Sequence, residues 1–484
     1  MKPSFGAGAA FCALSLAACS DRSTNLATAA SAASSAVSGP SAPAATSAAP
    51  STSAPATSPR EARARRIAEL MGKGDHDGAR DELGDDLQKV LDAGKLKDAW
   101  RSSAGEMGAY QGIQTVTARA RKNKEQIVVR VALARGTMDV LVGFDTGDRP
   151  SALFLKKATA HYRFPDYVEA AQVVEREVLV GDGDAAVSGS LVLPRTSTAP
   201  VPAVIFVHGS GPQDRDTTMG AARPFRDIAL GLATRGVASL RWDKRTSDPG
   251  ALAALGVAIA DITVEEEYFV DVASALRLVA STQEVDPQKI FVLGHSQGGW
   301  LAPWLLERHP TLAGAVVLAG NARHFNAIVP AQIEYISKLD DGVVGPLERL
   351  QLDEIKQQCA RAQDKALAAD TPATSLPLGV PAKYWIAIRD YDAMATAKKI
   401  DRPFLVLQGG RDYQVTPADD YPKWQGIVAR SPASKAKLYP ALNHAFVPGE
   451  GRIEPKEYLS LEGSVPREVV EDIAGWIDER TRKR

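Results

Sequence analysis

From Val173 onward, short apolar runs recur with helical stretches between them: "PAVIFVHG", "VASLRWDKR", "KIFVLGHS", "LAGAVVLAG", "PFLVLQGG" and "KAKLYP". This alternation constrains the fold more than any other feature of the chain. A strand that is apolar on both faces needs cover on both, and helices between successive strands supply it. The pattern therefore predicts an α/β fold, a largely parallel sheet with helices on both faces. Two earlier runs, "VVEREVLV" and "AAVSGSLVLP", read as a hairpin that opens the sheet. Between residue 321 and about residue 400 the alternation pauses for a mostly helical segment, too long for an ordinary connection, which reads as a cap over the sheet.

One junction in this series carries chemistry. Gly294-His295-Ser296-Gln297-Gly298 fits G-x-S-x-G between the strand "KIFVLG" and the helix-like "GGWLAPWLLERH". A turn that tight brings the backbone around the serine too close for flanking side chains. Glycines on both sides relieve the clash and hold the hydroxyl out at the sheet's carboxyl edge, as a nucleophile requires. Gly and Ser also build ordinary turns, so the residues around Ser296 have to supply the rest of the argument.

A neutral serine needs a base, and the chain has seven histidines. His76 falls in a polar stretch and His161 in a connecting segment. His295 is held inside the turn and pointed away from Ser296, His309 ends a helix, and His324 opens the cap. His208 precedes a Gly-containing loop that it suits for shaping. His444, in "LYPALNHAF", follows a strand near the C-terminus, where a loop can bring a ring over the sheet edge. Where such an elbow is used, the acid lies between nucleophile and base in the chain. Asp412, just past the strand "PFLVLQGG", is favoured to accept the His444 Nδ1–H and fix its tautomer. Asp419 and Asp420 stand at a helix start, where a carboxylate ordinarily caps. An oxyanion hole needs two backbone N–H groups. Gln297 is expected to give one and the loop Gly209-Ser210-Gly211 the other, from Ser210 or alternatively from Gly211.

The first 160 residues divide differently. Residues 1–18 have a Lys near the start and then an apolar stretch too short to span a bilayer, a targeting signal that ends in "LAAC". Residues 19–59 are Ala, Ser, Thr and Pro with almost nothing else, and read as a disordered tether reaching roughly 35 Å. Residues 60–160 read as a small α+β domain. "REARARRIAELMGKG" and "DDLQKVLDAGKLKDAWRSS" look helical, and four alternating runs from "IQTVTARAR" to "SALFLKKA" suggest an antiparallel meander. No catalytic constellation stands out there.

Of three cysteines, Cys12 lies in the signal, Cys19 ends it, and Cys359 stays in the folded part on a charged helix, so no intrachain disulfide is expected. A net charge of -1 gives no basic surplus for nucleic acid. The histidines and Cys359 show no metal-ligand spacing, and no cofactor is implied. Nothing in the sequence fixes an oligomeric state.

Two resemblances sharpen these expectations. "LAAC" is similar to the lipobox of bacterial lipoproteins. It implies that Cys19 carries lipid and that the protein is membrane-anchored in the cell envelope; Ser20 after it implies the outer membrane, facing the periplasm. The alternative is an ordinary signal peptide with an incidental Cys. From Val173 to the end the chain resembles the α/β-hydrolase family, in its bacterial serine-esterase and prolyl-oligopeptidase-like branch. "HGSGPQDRD", "RWDKR", "GHSQGG", "LQGGRDYQV" and "NHAF" carry the likeness, in that order. It implies Ser296 as nucleophile, Asp412 as acid and His444 as base, acting on a small-molecule ester. "RWDKRTSDPG" departs from the branch by lacking the Gly usual after the Arg. Phe325, Tyr384, Trp385 and Tyr391 in the cap suggest an apolar pocket for a small to medium acyl group, their alternative role being cap core. Competing readings are a peptidase or amidase with the same triad, and a non-catalytic envelope lipoprotein.

Overall fold

The computed structural model describes residues 58–482 apart from 122, 123, 146, 158–161 and 460. Cys19, the signal and nearly all of the Ala/Ser/Thr/Pro stretch lie outside the described residues. The chain divides into two units at Thr159/Ala160.

In the smaller unit, α1 (Pro59–Lys73) starts at a capping box. Ser58 Oγ accepts the Glu61 N–H while the Glu61 carboxylate accepts the Ser58 N–H. Its buried residues Ala64, Ile67, Ala68 and Met71 fall on one helical stripe. α2 (His76–Asp81), α3 (Asp85–Val90) and α4 (Ala93–Ala104) follow. The stretch that reads as one helix is thus two. Asp92 leaves helical geometry, and its carboxylate caps α4 by accepting the Lys95 N–H at 2.8 Å. Strands β1 (Tyr110–Arg121), β2 (Lys124–Leu133), β3 (Gly136–Phe144) and β4 (Pro150–Lys157) pair antiparallel in chain order. Ile127, Val129 and Val131 alternate inward from β2 to meet the helices.

The larger unit is built on eight strands: β5 (Val173–Val180), β6 (Val187–Pro194), β7 (Val201–Val207), β8 (Ala238–Trp242), β9 (Val285–His295), β10 (Gly314–Leu318), β11 (Phe404–Gly409) and β12 (Lys435–Tyr439). Their order is β12-β11-β10-β9-β7-β8-β6-β5. β7 to β12 run parallel, while β5 and β6 join as an antiparallel hairpin at one edge. Successive side chains of β9 go to opposite cores: Ile290 and Val292 to one, Phe291 and Leu293 to the other. That is why the strands read as unbroken apolar runs.

α5 (Pro224–Ala233) covers one face of the sheet; α6 (Pro249–Ala254), α7 (Val270–Ala280) and α8 (Gln297–Arg308) cover the other. The cap between β10 and β11 consists of α9 (Phe325–Ser337), α10 (Pro346–Gln363), α11 (Ala382–Ile388) and α12 (Ala393–Ala397). α13 (Tyr421–Val428) joins the face of α7 and α8, and α14 (Arg467–Thr481) packs with α5. Cys359 is buried on α10, and burial pushes its thiol up to about 12, which suits packing rather than reactivity.

After β7 the chain steps to β8 on one side; after β9 it steps to β10 on the other. Between these two strands the sheet opens a crevice at its carboxyl edge, where ligands of open α/β sheets bind. The loop after β7 and the turn after β9 both end there.

Candidate active site

Ser296 sits at the end of β9 with φ 52° and ψ −117°, a conformation an L-residue adopts only under constraint. The neighbouring glycines make it possible. A Cβ on Gly294 would lie 2.1 Å from the Gly298 carbonyl oxygen, and one on Gly298 would lie 2.3 Å from that of Val207. The Ser296 N–H is held by the Leu318 carbonyl of β10 at 2.9 Å. Gln297 opens α8, so its N–H has no carbonyl partner within the helix.

The loop after β7 approaches just as closely: a Cβ on Gly209 would lie 3.1 Å from Ser296 Cβ. Gly211 has φ 77°, open to glycine at no cost. Ser210, Gly211, Ser296 and Gln297 line one pocket. Both loops expected to bear the oxyanion donors therefore meet at the serine.

Asp412 and His444 come from the loops after β11 and β12. His444 Nδ1–H donates to Asp412 Oδ2 at 2.7 Å, with both side chains sealed from solvent. Asp412 is fully engaged. Its Oδ1 accepts the Gln414 and Val415 N–H groups at 2.8 and 2.9 Å, and its Oδ2 also accepts Gln408 Nε2–H at 3.1 Å. A carboxylate so bonded stays in place and fixes the imidazole tautomer. The His444 loop is tied down by Asn443 Oδ1, which accepts from Ala445 and Val447 N–H. Ser296 and His444 border the same polar pocket.

His295 is not merely turned aside. Its Nε2–H donates to the His444 carbonyl at 2.9 Å, and its ring lies 4.7 Å from the His444 ring. Burial, and then His444, pull its pKa down to about 3, so it remains neutral beside the base. His208 is likewise buried and pulled down to about 3, first by burial and then by Lys244; it bonds the Asp214 carbonyl at 3.1 Å. Asp420 departs from expectation. It makes no side-chain cap on α13; instead its carboxylate accepts the Ala322 and Arg323 N–H groups and pairs with the Arg323 guanidinium at 2.7 Å, pinning the start of the cap.

Phe325, Tyr384 and Trp385 line the apolar pocket beside Ser296. Tyr391 does not: it stacks on Trp304 and donates to the Trp300 carbonyl, packing the cap onto α8.

A buried polar chain beneath the site has no counterpart in the sequence reading. Gln297 Nε2–H donates to Tyr384 Oη at 2.6 Å, and Tyr384 donates to Glu267. Glu267 lies on a π turn, Glu265–Phe269, and pairs with Lys244. Lys244 Nζ donates to the Gly209 carbonyl and to Tyr268 Oη, each at 2.7 Å. The chain thus joins the loop after β7, the elbow and α11 of the cap. Burial pulls Lys244 down and Glu267 counters it; burial holds Tyr384 well above its usual value, so it stays a donor. The visible trace of this network is a Lys two residues past a buried strand in "RWDKR".

Among the described residues no group of three or more His, Cys, Asp or Glu is placed to hold a metal ion, and no helix is long and apolar enough to cross a membrane.

A parallel sheet with a serine elbow, a sealed Asp–His pair and a helical cap defines an α/β-hydrolase. Residues 199–451 match the family described as serine aminopeptidase, S33, and the chain belongs to it. It is 31% identical over 396 residues to esterase EstD of Thermotoga maritima, spanning 81% of this chain and 89% of that protein. A match of that extent takes in part of the smaller unit. An esterase of Pyrococcus furiosus is 13% identical, covering 67% of this chain and 100% of that one at a TM-score of 0.41. Est1E from Butyrivibrio proteoclasticus is 16% identical, covering 63% and 99% at 0.39.

Proposed function

We propose that this protein is a serine carboxylesterase. Ser296 attacks an ester carbonyl as His444 Nε2 takes its proton. The oxyanion rests on the N–H groups of Gln297 and of Ser210, with Gly211 the alternative. His444 then protonates the leaving alcohol, and water repeats the sequence on the acyl-enzyme. The observation that carries this reading is the sealed Asp412–His444 bond at the rim of the pocket that also holds Ser296. The relationship to esterase EstD supports the ester class.

The same machinery cleaves amides, and the family's description as serine aminopeptidases favours that as the second reading. Two experiments decide. A fluorophosphonate probe should label wild type and not Ser296→Ala; an unlabelled wild type overturns serine catalysis. Turnover of nitrophenyl acetate should far exceed that of alanine p-nitroanilide; the reverse order selects the aminopeptidase.

We propose further that Cys19 is lipidated and holds the enzyme at the outer membrane, facing the periplasm. The support is the "LAAC" sequence followed by Ser20. A single acyl chain anchors only marginally whereas two or more anchor stably, so full lipoprotein acylation suffices. Palmitate labelling should disappear in Cys19→Ala; unchanged labelling overturns the proposal.

A further inference from the structure

Ser296 borders two pockets, one more apolar and one more polar. One, of about 50 Å³, is walled by Phe325, Ile328, Val329, Leu378, Trp385 and Ile388. The other, about four times larger at 210 Å³, is polar, with Gln213, Asp214, Thr217, Thr218, Gln414 and Tyr458 in its wall. Chemistry assigns them. The base must hand its proton to the leaving oxygen, so the alcohol belongs in the pocket that His444 borders. His444 borders the polar pocket and not the apolar one. The acyl group therefore enters a small apolar space, and the alcohol a large polar one.

The polar wall is built, and it has acceptors to spare. Gln213 Oε1, Thr217 Oγ1 and His295 Nδ1 are buried with no hydrogen-bond partner among the described residues. His295 spends its only N–H on the His444 carbonyl, which leaves Nδ1 a bare acceptor. Thr217 holds φ 53°, a strained conformation for a β-branched residue, which persists only when its surroundings impose it. They do. The Asp214 carboxylate accepts the Asp216 and Thr218 N–H groups, Arg215 forks onto Asp243, and the Lys244 N–H bonds the Gln213 carbonyl. The loop is held ready rather than ordered by its ligand, and of the spare acceptors those of Gln213 and Thr217 are the two whose side-chain rotation would bring them to hydroxyl donors.

We infer that the alcohol half of the substrate is a polyhydroxylated ring of sugar size, so that the enzyme removes short acyl groups from acylated sugars. The inference rests on the esterase reading. An ester of a plain hydrocarbon alcohol would leave the spare acceptors unpaired, and sites built for hydroxyls discriminate strongly against analogues lacking them.

Two primary acetates with the same acyl group test this: glucose 6-acetate and cyclohexylmethyl acetate, with nitrophenyl acetate as a reference, all on the intact protein. The expected result is at least about a 10-fold higher kcat/KM for the sugar ester, expressed mainly in KM. Thr217→Val should lower that ratio severalfold. Free glucose should inhibit nitrophenyl acetate hydrolysis competitively where cyclohexylmethanol does not, a measurement that needs no variant. Equal kcat/KM for the two acetates, or no inhibition by glucose, overturns the inference and leaves the esterase intact. Failure to hydrolyse any of the three, nitrophenyl acetate included, overturns the esterase reading and the inference together.

Discussion

Lys244 and Glu267 form an ion pair 2.7 Å long, with side chains 2% and 1% exposed. Two charges so enclosed gain little net stability over an apolar pair, but losing one partner strands the other. Lys244 touches no atom expected to react. It holds the Gly209 carbonyl, next to the N–H of Ser210, and through Glu267 and Tyr384 it reaches Gln297. It is a positioning residue. Lys244→Met should cost about 3–5 kcal/mol of stability, read as a fall in Tm, because Glu267 is left unpaired. Pairing it with Glu267→Gln should restore most of the Tm while kcat stays about 10- to 100-fold low, since an oxyanion loop displaced by a fraction of an ångström loses its aim. A double variant with full kcat would reduce the pair to scaffolding.

The Asp412–His444 bond makes a sharper prediction. Asp412→Asn keeps an acceptor for the Gln414 and Val415 N–H groups, so the loop should survive. It presents His444 with an amide in place of a carboxylate, which favours the wrong tautomer. The expected loss in kcat is on the order of 10,000-fold with Tm nearly unchanged. A loss under tenfold would mean that another group orients the base.

How far the site was legible depends on whether a feature is local in sequence. The elbow is local: glycines flank Ser296 because backbone from Gly298 and Val207 occupies the space of any Cβ. Asp412 and His444 are legible because each lies in a loop just past a strand of the sheet, β11 buried and β12 at its edge. Lys244, Glu267 and Tyr384 are not, because they lie on three separated segments and their pairing exists only after the sheet, the π turn and the cap have assembled. Asp420 shows the same limit. A carboxylate at a helix start ordinarily caps it, but a tertiary partner nearly a hundred residues away, Arg323, claims this one. The break at Asp92 was local and readable, since Asp there competes with the helix by capping the next one.

Asp227 should make stability depend on pH. It is fully buried, and burial raises its carboxyl to about 7, against the pull of hydrogen bonds from the Tyr162 hydroxyl and the Val465 N–H. The folded chain therefore binds this proton more tightly than the unfolded chain, whose value is near 3.8. The contribution is whole below about pH 4 and is lost as pH rises through about 7, up to roughly 4 kcal/mol across the window. Asp227→Asn removes the titration. Tm should fall between pH 5 and pH 8 more steeply in wild type than in the variant. Parallel curves would show that Asp227 is already ionised at pH 5.

The apolar pocket sets the last expectation. Its 50 Å³ holds only a few water-sized volumes, so nitrophenyl acetate and butyrate should be turned over well and the octanoate poorly. Phe325 stands at this wall, half-buried and edge-on to Trp300 at 5.1 Å. Because it is only half-buried, Phe325→Ala should cost less than the roughly 3–5 kcal/mol of a fully buried aromatic. It opens the acyl side without touching the polar pocket. Each methylene newly accommodated is worth about 0.8 kcal/mol of binding, so a few of them should raise the octanoate-to-acetate ratio of kcat/KM by at least about tenfold. The variant's preference between glucose 6-acetate and cyclohexylmethyl acetate should not move with it, because that choice is made on the other side of Ser296. If the two preferences shift together, the pockets are one space and the assignment of acyl and alcohol sides is wrong.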